Sequence, residues 1–163
     1  MKEADLAPIT IADEPSILTL NNLHQRETSL LDAAKLHHLL EQAYLARRIG
    51  ANDALLLAFD QDADYDSANF LWFRQRYPRF AYVDRIIVAE HARGRGLARQ
   101  LYQTLFAKAL ADGHTLVACE VNSDPPNPGS DAFHAALGFE QVGEATIYSG
   151  ERTVRYLVRS LVG

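Results

Sequence analysis

The feature that most restricts this chain is a strand that runs into a glycine-rich turn and straight on into a helix. Phe80 to Ala89 alternates and then becomes continuously apolar at Ile86, Ile87 and Val88, the pattern of an interior strand. Arg93-Gly94-Arg95-Gly96 follows, and Leu97, Leu101, Leu105, Ala109 and Leu110 then recur at helical spacing until Gly113. Glycines at a helix start leave backbone N–H groups unpaired at the positive end of the helix dipole, a site that suits an anion such as pyrophosphate. Arg93, Arg95 and Arg99 concentrate positive charge there. On spacing alone, a tight turn with solvated arginines is the alternative. The dinucleotide fingerprint is not met, and the P-loop ending in Lys and Ser or Thr is absent.

Around this unit the chain reads as alternating strands and helices. Pro8 to Ala12 is expected to be a first strand, followed by a polar connection through Asn21, Asn22 and His24. Ser29 with Asp32 suggests a helix start, and Leu36, Leu39, Leu40 and Ala43 carry the helical period towards Gly50. Ala54 to Phe59 and Thr115 to Val121 are buried strands, Asn122 to Pro128 is a stiff loop, and Ser130 to Leu137 is a short helix closed by Gly138. Phe139 to Ile147 and Thr153 to Leu161 form a terminal hairpin. Strands and helices in this order make an α/β or α+β sheet protein.

At 163 residues the chain fits one domain, residues 1–163. A net charge of -5 argues against a nucleic-acid partner, so any anion site is local. Cys119 lies in an apolar run without metal-ligand spacing, and no metal is expected. The first residues lack the apolar stretch of a signal peptide and no segment has the length of a membrane span, so no membrane partner and a cytoplasmic location are expected. Asp60, Asp62, Asp64 and Asp66 mimic the start of a calcium loop, but Tyr65 stands where the loop glycine is needed and Leu71 where the closing glutamate belongs. The aromatics that follow, Phe70, Trp72, Phe73 and Tyr77, are either core or acceptor-lining, and Trp72 and Phe73 with Tyr82 are taken as acceptor contacts.

Two segments together resemble the GNAT superfamily of N-acetyltransferases. The first is Tyr82-Val83-Asp84-Arg85-Ile86-Ile87-Val88 leading into Arg93-Gly94-Arg95-Gly96-Leu97-Ala98, where Arg93, Gly96 and Ala98 fill the slots of the acetyl-CoA motif. The second is Asn127 followed by Phe133-His134-Ala135-Ala136-Leu137-Gly138-Phe139, similar to the Asn and helix-Gly-Phe signature. The match spans roughly residues 80 to 143, and the joint occurrence is far more specific than either part. It implies a mixed, mostly antiparallel sheet flanked by helices, with a central, splayed parallel strand pair.

The resemblance also implies roles. The amides of Arg93, Gly94, Arg95, Gly96, Leu97 and Ala98 would hold the pyrophosphate of acetyl-CoA, Ile86, Ile87 and Val88 would run beside the pantetheine arm, and an N–H near Ile87 or Val88 would stabilise the oxyanion. Asn127 would bind the pantetheine amides, with Phe133 nearby. Many members carry a tyrosine acid four residues before the Gly-Phe glycine, and this chain has His134 there, with Tyr82 and Tyr148 as other donors. Asp84 and Glu120 are candidate bases and candidate acceptor contacts, and Asn122, on the same strand face as Glu120, is a further candidate acceptor contact. The expected reaction is acetyl transfer to a primary amine of a small molecule, amino acid or peptide. The alternative is an acyl-CoA sensor that has lost the chemistry, a reading that His134 keeps open. Homodimerisation through the terminal hairpin is compatible with an edge strand that needs cover.

Overall fold

The computed structural model describes residues 6–23, 31–124, 128–147, 150 and 152–162. Seven strands, β1 (Leu6–Pro8), β2 (Leu45–Ile49), β3 (Ala54–Asp60), β4 (Ala81–Val88), β5 (Leu116–Asp124), β6 (Glu140–Ile147) and β7 (Arg152–Ser160), form one sheet in the order β1-β2-β3-β4-β5-β7-β6. Among the described residues five helices accompany it: α1 (Glu14–Leu23), α2 (Ala33–Gln42), α3 (Ala68–Arg74), α4 (Leu97–Ala111) and α5 (Pro128–Ala136). Neighbouring strands are antiparallel except β4 and β5, which are parallel.

That parallel pair is joined only at Ala81 opposite Val117 and Tyr82 opposite Ala118. Beyond those rungs β4 continues to Val88 and β5 to Asp124 without pairing to each other, so the sheet opens in its middle. On its other side β4 carries a bulge. Leu57 faces Arg85 while Ala58 faces Val83, which leaves Asp84 as the extra residue.

The two sheet faces carry different helices. Glu120 is the register partner of Tyr156, and on their side lies α3: Tyr156 donates to Asn69 Oδ1 at 2.8 Å, Trp72 stacks on the Tyr156 ring at 4.2 Å, and Phe70 and Phe73 pack on Tyr82. Cys119, one residue along, faces the opposite side by strand alternation. There Tyr102 of α4 packs against Phe133 and His134 of α5 and against Phe139. β3 is buried on both faces, with Leu55, Leu56, Leu57, Ala58 and Phe59 all at 0% exposure, as its uninterrupted apolar sequence requires.

Gly143 in β6 has a steric role. A Cβ there would lie 2.3 Å from Cζ2 of Trp72, so the indole approaches the strand this closely only because the position has no side chain. Arg76 covers the outer indole face at 4.0 Å.

The front of the chain differs from its sequence reading. The strand expected from Pro8 to Ala12 is instead β1 at Leu6–Pro8, then a capping box in which Thr10 and Asp13 bind reciprocally and start a 3-10 turn. Asn21 and Asn22 belong to α1, and His24 lies outside the described residues. The next helix does not reach Gly50. Asp32 caps it by accepting from the Lys35 N–H at 2.8 Å, it ends at Gln42, and Leu45–Ile49 pair with β3 in a hairpin turned by Gly50 at φ 61°. Cross-strand pairing there overrides the helical spacing of the side chains. Ser29 lies outside the described residues. Downstream, β5 runs on through Asn122 to Asp124, and Pro128 opens α5, where a missing N–H costs nothing.

Candidate active site

The opening between β4 and β5 is a cleft of about 180 Å³. Asp84, Ile86, Glu120 and Asn122 line it from the two strands, Tyr65, Ser67 and Asn69 from the α3 side, and Tyr102, Ser130 and His134 from the α4–α5 side. Arg152 and Val154 of β7 and Ile147 of β6 complete the wall.

The α3 side is acidic. Glu120 accepts a hydrogen bond from Tyr82 Oη at 2.7 Å, and burial, with neighbouring Asp84 adding to it, pushes its carboxyl up to about 8. The bulge residue Asp84 is held from two directions, by Tyr65 Oη donating at 2.6 Å and by Arg85 Nε at 2.7 Å. Arg85 in turn donates to Asn21 Oδ1 of α1 at 2.7 Å, so a buried ion pair anchors the bulge to the first helix.

The α4–α5 side carries a histidine and a phenol. His134, 5% exposed, places Nδ1 2.8 Å from the Ser130 carbonyl, which can only accept. Nδ1 therefore bears the proton, and burial holds the ring below its usual range and neutral near pH 7. Nε2 is then an acceptor, and it takes the hydroxyl of Tyr102 at 2.8 Å. In this state His134 has no free proton for a leaving group, unlike the acid expected from the sequence.

At the end of β4, Ala89 N–H is given to the Asp53 carbonyl at 2.8 Å on the β3 side. Alternation then turns the N–H groups of Ile86 and Val88 towards the opening, and that of Ile87 towards β3. Glu90–Ala92 form a 3-10 turn, and Gly94 and Gly96 adopt φ values of 81° and 72°. Gly96 caps α4, its carbonyl accepting from Gln100 N–H at 3.1 Å. The amides that start α4 thus border an exposed turn, and no atom lies within 4 Å of where a Gly94 side chain would begin. Asp53 braces the turn, binding His91 Nε2 at 2.8 Å and lying 3.6 Å from Arg95. The turn thus lies just past the end of β4, the strand that borders the opening.

Of the residues singled out in the sequence, the cleft gathers Asp84, Ile86, Glu120, Asn122 and His134. Ile87 and Val88 continue β4 towards the turn, while Phe133 lies half-buried against Tyr102. Trp72, Phe73 and Tyr82 do not line the cleft: Phe73 and Tyr82 are fully buried in the aromatic core, and Trp72 packs on Tyr156 and Gly143. Leu97 is also a core side chain, leaving its backbone to the turn. Asn127 and Tyr148 lie outside the described residues. Sequence reasoning missed Tyr65 and Tyr102. Tyr65 sits among acids, and Tyr102 beside Leu101 in a helix, where a phenol reads as core.

The model of the acetyltransferase (GNAT) family matches residues 36–139. The chain belongs to the GNAT acetyltransferase family. No curated protein matches it in sequence. Among solved structures, its fold is similar to that of Ard1 from Thermoplasma volcanium, at 13% identity, a TM-score of 0.76 and 97% of each chain covered. A ribosomal-protein-alanine N-acetyltransferase from Brucella melitensis is similar at 20% identity and a TM-score of 0.71, over 95% of this chain and 98% of that one. So is YncA, a putative acetyltransferase from Salmonella typhimurium solved with its cofactor acetyl-CoA, at 17% identity and 0.71, over 97% and 94%. Of the described motif residues, Tyr82 to Val88 lie on β4, Arg93 to Ala98 on the turn and the start of α4, and Phe133 to Phe139 on the end of α5 and just after it.

Proposed function

We propose that this GNAT protein is an acetyl-CoA-dependent N-acetyltransferase whose acceptor is a primary amine, of a small molecule, an amino acid or the amino terminus of a peptide. The observation that carries this reading is Glu120, a half-buried residue whose carboxyl is pushed up to about 8 at the edge of a cleft between splayed strands. An ammonium has no lone pair for attack, and a carboxylate of that basicity, backed by Asp84, can hold the ammonium and remove its proton to water. The α4 turn would take the pyrophosphate, with Arg93, Arg95 and Arg99 adding positive charge. Bound there, the coenzyme supplies an acetyl thioester. The N–H groups of Ile86 and Val88, both turned towards the opening, would serve as donors to a developing oxyanion there. Asn122 and Tyr65 border the acceptor side, and a cleft of about 180 Å³ admits the amine end of an acceptor, not a folded chain.

Calorimetry with acetyl-CoA, followed by thiol release against amino acids, simple amines and short peptides, tests the proposal. Micromolar binding with amine-dependent release is expected. Binding without release by any amine would point to the coenzyme-sensing alternative, and no binding would refute both.

A further inference from the structure

We infer that Tyr102 is the proton donor to the departing coenzyme thiolate and that His134 is its positioning residue. This rests on the acetyltransferase reading above and assigns a role within that site.

The cleft passes between two sheet faces, and its two sides are chemically unlike. The carboxylates Glu120 and Asp84 and their phenol partners lie towards α3. Tyr102 and His134 lie on the face of α4, the helix whose amino end forms the pyrophosphate turn. The coenzyme sulfur therefore leaves along the Tyr102 side. Among the described residues, two phenols on the acidic side already have carboxyl partners: Tyr65 donates to Asp84 at 2.6 Å, and Tyr82, inside the aromatic core, donates to Glu120 at 2.7 Å. Tyr102 lines the cleft and donates to a neutral imidazole nitrogen, so its hydroxyl is the phenol on the α4 side that can turn to a new acceptor without leaving a carboxyl group.

The local medium makes such a donor necessary. Cys119 shares this part of the cleft, and burial pushes its thiol well above the ordinary range. A coenzyme thiolate formed beside it meets the same desolvation and is a strong base there. Burial likewise keeps Tyr102 protonated at neutral and alkaline pH, so the donor is always loaded. As the C–N bond forms and the C–S bond breaks, sulfur takes the Tyr102 proton. One ammonium proton has already passed to Glu120 and out to water. The second proton lost by the acceptor nitrogen restores the Tyr102 hydroxyl through the cleft, so the reaction releases one proton overall. His134 fixes the donor's direction: its Nδ1–H is tied to the Ser130 carbonyl, so Nε2 can only accept from Tyr102.

The test uses the full chain and two ligands that differ at one atom, coenzyme A and desulfo-coenzyme A. Wild type should bind coenzyme A about tenfold or more tightly than the desulfo compound at alkaline pH, where the thiolate forms, and Tyr102→Phe should reduce that ratio to near one while keeping the desulfo affinity. Unchanged desulfo affinity also shows that the variant is folded. In thiol release with the best amine of the panel, Tyr102→Phe should lower kcat about 100-fold with little change in KM for acetyl-CoA. His134→Gln, whose carbonyl can still accept from Tyr102, should retain most of the rate that His134→Leu loses. An unchanged ligand ratio or an unchanged kcat in Tyr102→Phe overturns the assignment, and a His134→Gln enzyme as slow as His134→Leu returns the acid role to the imidazole. If wild type binds neither ligand, the acetyltransferase reading itself fails, a result distinct from either of these.

Discussion

Replacing Glu120 by Gln separates what this side chain does for the reaction from what it costs the fold. Gln keeps the shape and the oxygen that accepts from Tyr82, but it cannot ionise. The Glu120 carboxyl moves from 4.5 to about 8 on folding, because burial and then Asp84 oppose its charge. Below pH 4.5 both folded and unfolded chains carry the proton. Between 4.5 and 8 the unfolded chain has lost it while the folded one keeps it, so the native state binds more protons and stability falls as pH rises. Above 8 both have lost it and the penalty is constant. At about 1.4 kcal/mol per pH unit the full penalty is roughly 4 to 5 kcal/mol, an upper bound for one group. Glu120→Gln should therefore gain stability over wild type progressively between pH 5 and pH 8, read as the difference in urea unfolding free energy at the two values. Its kcat/KM should fall by roughly 100-fold or more, and the rise of wild-type kcat/KM with pH, centred near 8, should vanish. If the variant retains wild-type kcat/KM, Glu120 is not the base. If the stability difference is the same at pH 5 and pH 8, the carboxyl is not perturbed as its burial requires.

Three other outcomes follow from particular contacts. Tyr82→Phe removes the hydrogen bond that favours the Glu120 carboxylate, so the limb of the kcat/KM profile should move to higher pH; a move to lower pH would contradict the contact at 2.7 Å. Gly96→Glu places a charge and a side chain where φ is 72° and an anion must approach, and should raise the acetyl-CoA Kd more than 100-fold by calorimetry; unchanged affinity would remove the turn from the site. Gly143→Ala sets a Cβ 2.3 Å from the Trp72 ring and should cost about 2 to 3 kcal/mol in urea unfolding, with unchanged intrinsic tryptophan fluorescence in the native state counting against that packing.

The parts of the molecule legible in its sequence are those in which local pattern and global role coincide. The apolar run at Ile86, Ile87 and Val88, the two glycines of the turn and the long period of α4 each encode both an element and its place in the fold. Glu120 and Asn122 also share a strand face, as their spacing requires, and both reach the cleft. The errors lie where a distant partner decides the outcome. Leu45–Ile49 is a strand because β3 is beside it, although its side chains extend a helical period. Asn21 reads as a loop residue but is buried in α1 because Arg85, 64 positions away, needs an acceptor there. Trp72 reads as an acceptor contact, yet it packs on Tyr156 and over Gly143, a residue whose only signal is a missing side chain. The Asp84 bulge has no signature of its own, since an inserted residue shows only against the register of its neighbour.

These long-range partners also explain how the fold keeps an expensive site in place. A carboxyl raised as far as that of Glu120 disfavours the native state at neutral pH, and the ion pair of Asp84 and Arg85 beside it is costly to desolvate. Glu120 keeps its pairing to β7 and Arg85 its pairing to β3, but neither has a partner across the opening. Both lie at the opening between β4 and β5, where two rungs of pairing are all that join the halves. What holds the opening in shape is packing on its two sides: the aromatic cluster of Phe70, Phe73, Tyr82, Trp72 and Tyr156 on one, and Tyr102, Phe133, His134 and Phe139 on the other. Those rings have few rotatable bonds and large buried areas, so they fix the strands without the ladder hydrogen bonds the opening lacks. The same side chains place Tyr82 against Glu120 and Tyr102 against His134, and the groups that brace the gap are therefore the ones that aim its acids and bases.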